Sequence, residues 1–261
     1  MKPQQLHDRT QLEAYFRRDL YLHLYSLGDL DDFYWPNTRW YGISTAHGVD
    51  RVVLIYTGGE LPVLLAFLDP GEETAAYLQS LIPILPDRFY AHLSPGLKDY
   101  FQPGYQLQAH GPHYKMGLLQ PEQLGKFSGR EVESLSLEDQ QEIVQLYQES
   151  YPGNWFDSRL LQTGQYRGIR RQGRLCSIAG VHVYSPSYRI AALGNITTHP
   201  DYRNQSLGKI VTAALCRSLL QEVDAIGLNV RQDNPAALAC YRKIGFKVTA
   251  QYGEYTLQRR K

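Results

Sequence analysis

Apolar positions in the first thirty residues recur at the spacing of a helix face: Leu12, Tyr15 and Phe16, then Leu20, Leu24 and Leu27. After an acidic, aromatic stretch, DDFYWPNTRWY, the pattern shortens to strand-like runs at 40–44, 51–56 and 63–68, broken by Gly58-Gly59 and Pro62. That is the rhythm of an antiparallel meander. A helix is predicted over 72–85, and further strands over 88–93, 105–109 and 114–118. The stretch 119–135 is polar, holds two glycines and a proline, and has no period. A linker is therefore placed at 120–135, between a domain at 1–119 and a second at 136–261.

The second half is patterned more regularly. Ser136, with Asp139 three residues on, reads as the N-cap of a helix running to Ser150, whose apolar face is Ile143, Leu146 and Tyr147. A loop of aromatics and turn formers follows, with Trp155 and Phe156, and a short helix is predicted over 157–161. Strands are predicted over 166–171, 175–184 and 189–198. A helix then presents Leu207, Ile210, Val211, Ala214, Leu215 and Leu219 on one face. The strand 225–231 alternates Ile226, Leu228 and Val230. Asn234 and Pro235 suit the cap and first position of a short helix, which Gly245 ends. In the last strand Phe246, Val248, Ala250 and Tyr252 share one parity and Tyr255 and Leu257 the other, so a bulge near Gly253 is expected.

Composition narrows the function classes. A chain of 261 residues with 43% hydrophobic residues has room for two ordinary cores. The formal charge is +1 and the sole basic block is Arg259-Arg260-Lys261, read as a solvated end, so nucleic acid is not an expected partner. No apolar run approaches the ~20 residues of a membrane span, and the polar opening, MKPQQLHDRT, is not a signal peptide. No membrane partner is expected, and the expected location is the cytoplasm. Cys176, Cys216 and Cys240 are widely spaced and read as core thiols. His110 and His113 form H-x-x-H without a carboxylate or cysteine cluster, so no metal is expected.

One stretch carries chemistry. Between the strand 189–198 and the helix that opens at Leu207 lies His199-Pro-Asp-Tyr-Arg-Asn-Gln-Ser-Leu-Gly-Lys209. A strand that turns directly into a helix leaves first-turn N–H groups unpaired, with the positive end of the helix dipole beside them, and such a mouth receives anions. Arg203-Asn204-Gln205-Ser206-Leu207-Gly208 resembles the R/Q-x-x-G-x-G/A loop of the GCN5-related N-acetyltransferase (GNAT) superfamily. The segment after the next strand matches too, with Asn234-Pro235-Ala236-Ala237, then Tyr241, then Gly245-Phe246, the N-x-x-A…Y…G-F pattern of these enzymes. The departure is Ser206, which stands where the family usually has its first glycine.

The resemblance implies an α/β (α+β) chain with a mixed, mostly antiparallel sheet flanked by helices. It implies two such folds in tandem, as in FR47-like and glycine N-acyltransferase-like relatives, with the first copy degenerate and unable to bind cofactor. Its co-substrate would be acetyl-CoA, leaving as coenzyme A. The amides of Asn204, Gln205, Ser206, Leu207, Gly208 and Lys209 would take the pyrophosphate, with Arg203 nearby; the side chains of Arg203 and Lys209 either join in or stay solvated. Ile196, Thr197 and Thr198 would line the pantetheine arm, with backbone atoms of Ile196 and Thr198 holding it like an added strand. Asn234 either binds the arm or only caps its helix.

Tyr241, seven residues after Asn234 and on the same helix face, matches the family tyrosine that protonates the departing thiolate; a phenol does so without being ionised at neutral pH. Asp157, His182 and Glu254 are candidate general bases, and a base acting through water is the alternative. In the family the region of Trp155 and Phe156 borders the acceptor site; equally, the two rings could cap the core. The acceptor is expected to be a small-molecule or peptide amine, and the chain a monomer or homodimer. A non-catalytic acyl-CoA-binding or interaction module with a decayed loop is the competing reading. A dinucleotide-binding oxidoreductase is disfavoured, because G-x-G-x-x-G is missing.

Overall fold

The computed structural model describes residues 3–46 and 48–260. Met1, Lys2, His47 and Lys261 lie outside them, and with them the first residues of the polar opening and the last residue of the basic tail. The chain forms two compact units: one comprises the chain up to Lys115, Arg231–Asp233 and the chain from Thr249 onward; the other comprises Met116–Val230 and Asn234–Val248.

The first unit begins with β1 (Gln4–Leu6), α1 (Arg9–Phe16) and α2 (Leu24–Gly28), where Asp8 caps α1 by accepting from Thr10 and Gln11 N–H. The meander follows as β2 (Thr38–Thr45), β3 (Gly48–Tyr56) and β4 (Val63–Ala66), then α3 (Glu72–Leu81), β5 (Arg88–Leu93) and β6 (Tyr105–Leu118). The two strands predicted over 105–118 are one, bent at Gly111, whose φ of 97° needs a residue without Cβ. The first two links are antiparallel, whereas β4 and β5 run parallel with α3 as their crossover. Tyr77, Leu78 and Leu81 of α3 pack into a core with Leu64, Phe89, Leu93 and Tyr105.

The second unit contains β7 (Glu133–Ser134), α4 (Gln140–Ser150), β8 (Arg167–Arg171), β9 (Arg174–Ser185), β10 (Ile190–Thr198), α5 (Leu207–Leu219), β11 (Ala225–Arg231) and α6 (Pro235–Lys243). The strand β12 (Phe246–Arg259) starts here and continues into the first unit. Strands β7 to β10 are antiparallel, and β10 and β11 are parallel with α5 crossing between them. Each unit therefore carries a mostly antiparallel sheet with one parallel strand–helix–strand crossover.

Segment 120–135 holds a 3-10 turn with Leu124 buried, β7, and two carbonyls, Leu124 and Phe127, that accept from Arg217. Four expectations are corrected. The helix predicted from Ser136 begins as a 3-10 turn inside the predicted capping box, and the one at 157–161 is a 3-10 turn at Ser158–Thr163. No bulge interrupts the β12–β5 ladder from Gly253↔Leu93 to Gln258↔Arg88; the parity change arises because Tyr252 and Leu257 are both buried. Arg259 and Arg260 are not a solvated end: Arg259 donates to Asp87 and to the Ile82 and Leu85 carbonyls, and Arg260 to the Gln102 and Tyr105 carbonyls.

Candidate active site

The parallel ladder between β10 and β11 pairs Ile190↔Ala225 through Leu193↔Leu228, and among the described residues it ends there. Strand β10 runs on to Thr198, so its last five residues leave β11 and a wedge opens between the strands. A local distortion forces this. The β10–β9 register shifts between Gly194 and Thr197, and Asn195 sits in the left-handed region with φ 56°. Asparagine tolerates that conformation better than most residues, and a bulge re-aims the peptide groups after it.

Side chains fix the bulge from several directions. The buried Asn195 donates through Nδ2 to the Tyr166 hydroxyl (2.9 Å), its Oδ1 lies 3.3 Å from His182 Nε2, and its carbonyl accepts from the Tyr147 hydroxyl (2.9 Å). Tyr166 in turn donates to the Val181 carbonyl. Burial pushes the phenols of Tyr147 and Tyr166 well above the ordinary range, so both remain donors. Past the bulge, Thr197 pairs with Ile178 and Thr198 with Ser177, and His199 N–H donates to the Cys176 carbonyl. Antiparallel pairing alternates its bonding direction, so the peptide groups of Ile196 and Thr198 point to the edge away from β9. The Thr198 carbonyl there accepts from Arg203 Nε.

The loop after β10 is shaped for an anion. Asn204 (φ 63°) and Ser206 (φ 64°) are both left-handed, with Gln205 on the other hand between them, an alternation that turns successive N–H groups into a concavity. Ser206 occupies the N-cap of α5 without a side-chain capping bond. Leu207 is buried and anchors the first turn, where the expected set of anion-holding amides is corrected: Lys209 N–H donates to the Ser206 carbonyl (3.0 Å), which leaves the amides before it for an anion. Gly208 lies against the strand, since a Cβ there would come 3.3 Å from Thr198 Oγ1. Lys209 is half-buried, and no acidic residue stands in the first turn.

The corresponding crossover in the first unit differs on each count. Its β4–β5 ladder reaches the last residue of β4, and Ser94 N–H continues it to the Ala66 carbonyl, so no wedge opens. Its helix begins with Glu72 and Glu73, which repel an anion.

Asn234 Oδ1 accepts from Ala237 N–H (3.0 Å), so the N-cap of α6 is real and only its amide nitrogen is left for another partner. Tyr241 is buried, packs on Phe246, and its hydroxyl has no hydrogen-bond partner among the described residues. Burial, aided by Cys240 and Tyr151, pushes its phenol far above the ordinary value and keeps it protonated.

Residues 131–246, which contain the wedge, the loop before α5 and Tyr241, match the Acetyltransferase (GNAT) family. This segment is similar to GNAT acetyltransferases. Solved structures share the fold along nearly the whole chain. They include a Drosophila protein (TM-score 0.71, 16% identity, 98% of each chain covered) and a GNAT-family acetyltransferase from Colwellia psychrerythraea (0.59, 15%, 99% of this chain and 100% of that one). A tandem GNAT protein from the clavulanic acid biosynthesis pathway is a third (0.59, 13%, 98% and 97%). No curated protein matches the sequence significantly.

The three candidate bases have different surroundings. Asp157 caps the turn at Ser158 and is paired with Arg159, whose bonds, against a burial penalty, hold its carboxyl below the usual range. Glu254 belongs to the other unit, where it accepts from Tyr90 and Tyr252 and faces His92 and His113. His182 alone touches the bulge, its ring covering Gly194 so closely that a Cβ there would lie 2.3 Å away. Phe156 packs on Tyr147 and Tyr166, whereas Trp155 is exposed with its edge on His182.

His110 and His113 part company: His110 Nε2 contacts Thr256 Oγ1 and His113 faces Glu254. Among the described residues no helix is long and apolar enough to cross a membrane. The Asn195 network escaped sequence reading because its Tyr partners lie 48 and 29 residues away.

Proposed function

We propose that the second unit moves an acetyl group from coenzyme A to the amine of a small molecule or peptide, with the N-terminal unit a degenerate copy that binds no coenzyme. The observation that carries this reading is the wedge: β10 leaves β11 after Leu193↔Leu228, beside a helix mouth free of acidic side chains. A thioester is already activated, so positioning and proton management are what remains for the protein.

The amides of Asn204 to Gly208 hold the diphosphate, and the side chains of Arg203 and Lys209 supply positive charge. Ile196 and Thr198 offer their outward peptide groups to the amide-bearing arm, with Thr197 and the Asn234 amide beside it. One outward N–H stabilises charge developing on the acyl oxygen. Tyr241 donates its proton to the departing thiolate, a role favoured by a protonated hydroxyl with no protein partner. His182 is the best placed of the three bases, acting directly or through water. Activity on amines, catalysis by Tyr241 and the coenzyme contacts are tested together by titrating coenzyme A into ¹⁵N-labelled protein and then assaying thiol release with an amine panel. Perturbed amides across Ile196–Lys209 and thiol release support the reading; unperturbed amides overturn it.

A second reading has one observation in its favour. Ser206 holds the left-handed position where glycine would be unstrained, so a binding module with a decayed loop predicts coenzyme binding without turnover on any amine.

A further inference from the structure

His199 follows the last residue of β10, is buried, and has no part in the acyl-transfer reading. Its backbone is anchored twice: its N–H donates to the Cys176 carbonyl of β9 (2.8 Å), and its carbonyl accepts from Tyr202 N–H (2.9 Å). Its ring reaches further. Nδ1 accepts from Asp201 N–H (3.3 Å), capping the 3-10 turn Pro200–Tyr202 that leads the chain to Asn204. Nε2 lies 3.3 Å from Glu149 Oε2, in the last turn of α4, and 3.1 Å from Arg174 Nη2, at the start of β9. Arg174 donates to that same Glu149 oxygen (2.5 Å).

These contacts fix the tautomer. A neutral imidazole has one N–H and one lone pair, so Nδ1 and Nε2 cannot both accept. Nδ1 meets a backbone donor, so its lone pair is used there and the proton sits on Nε2. That proton faces the Glu149 carboxylate, which bonds from Gln145 and Arg174 hold below the usual carboxylate range. Arg174 Nη2 and His199 Nε2 are then two donors converging on one oxygen, which accounts for their 3.1 Å separation. The neutral ring thereby joins α4, β9 and the turn that aims the loop.

A second proton undoes this. It goes to Nδ1 and sets an N–H against the Asp201 N–H, while the imidazolium is drawn to Asp201 Oδ2, 3.7 Å from Nδ1. The cap breaks, and the turn before Asn204 loses its hold. Glu149 and Arg174 also line a cleft of about 370 Å³ beside the turn at Gln172-Gly173, so water reaches the pair that touches the ring. The ionisable groups around the ring are Glu149 from α4, Arg174 from β9, and Asp201 and Tyr202 from its own turn.

We propose that His199 is a positioning residue of the coenzyme site: its neutral ring sets residues 204–208 to receive the diphosphate, and protonating it loosens that grip. The proposal rests on the acyl-transfer reading to the extent that this loop binds coenzyme.

The test is titration calorimetry of coenzyme A into the intact chain at pH 8 and pH 5.5, a span in which imidazoles change charge. His199→Asn is the decisive variant, since its Oδ1 can accept from the N–H two residues on but takes up no proton. At pH 8 it binds within about threefold of the parent, whereas His199→Ala, which loses the cap, binds about tenfold more weakly. At pH 5.5 the parent weakens several-fold relative to His199→Asn. The coenzyme's own phosphate titrates alike in both experiments, so the ratio of the two affinities reports the ring. Parent and His199→Ala binding equally at both pH values, equal losses in His199→Ala and His199→Asn, or a parent-to-Asn ratio that does not move with pH overturns the role of His199 alone. A parent that binds no coenzyme A at either pH overturns the acyl-transfer reading, and this role with it.

Discussion

Ser206→Gly tests the loop at its most strained residue. A left-handed conformation costs a residue with Cβ roughly 1–2 kcal/mol, and Ser206 recovers none of it through capping, since its side chain makes no cap bond. Glycine removes that strain but gives the unfolded chain more freedom, worth about 0.5–1 kcal/mol. The difference leaves the variant more stable by about 0.5–1 kcal/mol, a rise of about 1–4 °C for a chain of this size. Removing Cβ also clears the concavity, so affinity for coenzyme A rises about threefold to tenfold, or roughly 0.7–1.4 kcal/mol. Ser206→Ala is the control: it loses the hydroxyl and keeps the strain, so it gains neither stability nor affinity. Scanning calorimetry measures the first quantity and titration calorimetry the second. A glycine variant that melts below the parent, or an alanine variant that matches the glycine one, refutes the argument from backbone strain.

Tyr241→Phe lowers kcat by about a hundredfold, the lower end for a general acid, with coenzyme affinity within twofold; parallel loss of affinity would make the residue structural. Tyr147→Phe leaves the Asn195 carbonyl without its hydroxyl donor and costs about 1–3 kcal/mol, with a weakened coenzyme titration that Tyr241→Phe does not show. Lys115 gives a pH signature. Its folded value, about 7, lies below its unfolded value, so the unfolded chain binds more protons between pH 7 and about 10.4, and Lys115 makes stability rise through that window. Denaturant midpoints across pH 7–10 should climb more steeply for the parent than for Lys115→Met, which is the more stable at pH 7; equal slopes would show that the amine is not desolvated.

Much of this was legible in the sequence because it is local. The strand Ala225–Arg231, the cap at Asn234, the end at Gly245 and the opening of α5 at Leu207 each depend on residues within one or two turns, and periodicity carries that information. The Ser206 departure was visible as well, though its left-handed backbone was not. What stayed hidden is set by distant partners. Arg259 and Arg260 look like a loose basic end until Asp87 and the carbonyls near residues 82–105 come into reach. Tyr252 and Leu257 look like a slipped register until both sides of β12 prove to be covered. Glu254 has the chemistry of a base in isolation, yet its environment commits it to two phenols and two imidazoles in the other unit.

The same argument separates the two crossovers. Both units run strand, helix, parallel strand, so topology alone does not decide which can receive a diphosphate and its arm. The decision lies with two small features. One is Asn195, whose left-handed backbone ends the β10–β11 ladder early, whereas nothing interrupts β4 before Ala66. The other is the first turn of the helix, where Leu207-Gly208-Lys209 stands against Glu72-Glu73. Replacing Glu72 and Glu73 by glutamine would remove the repulsion yet leave the β4–β5 ladder closed, so such a variant should gain no coenzyme affinity beyond that of the second unit. A second equivalent of coenzyme binding in that variant would show that charge alone had been the barrier, and that the wedge is not required.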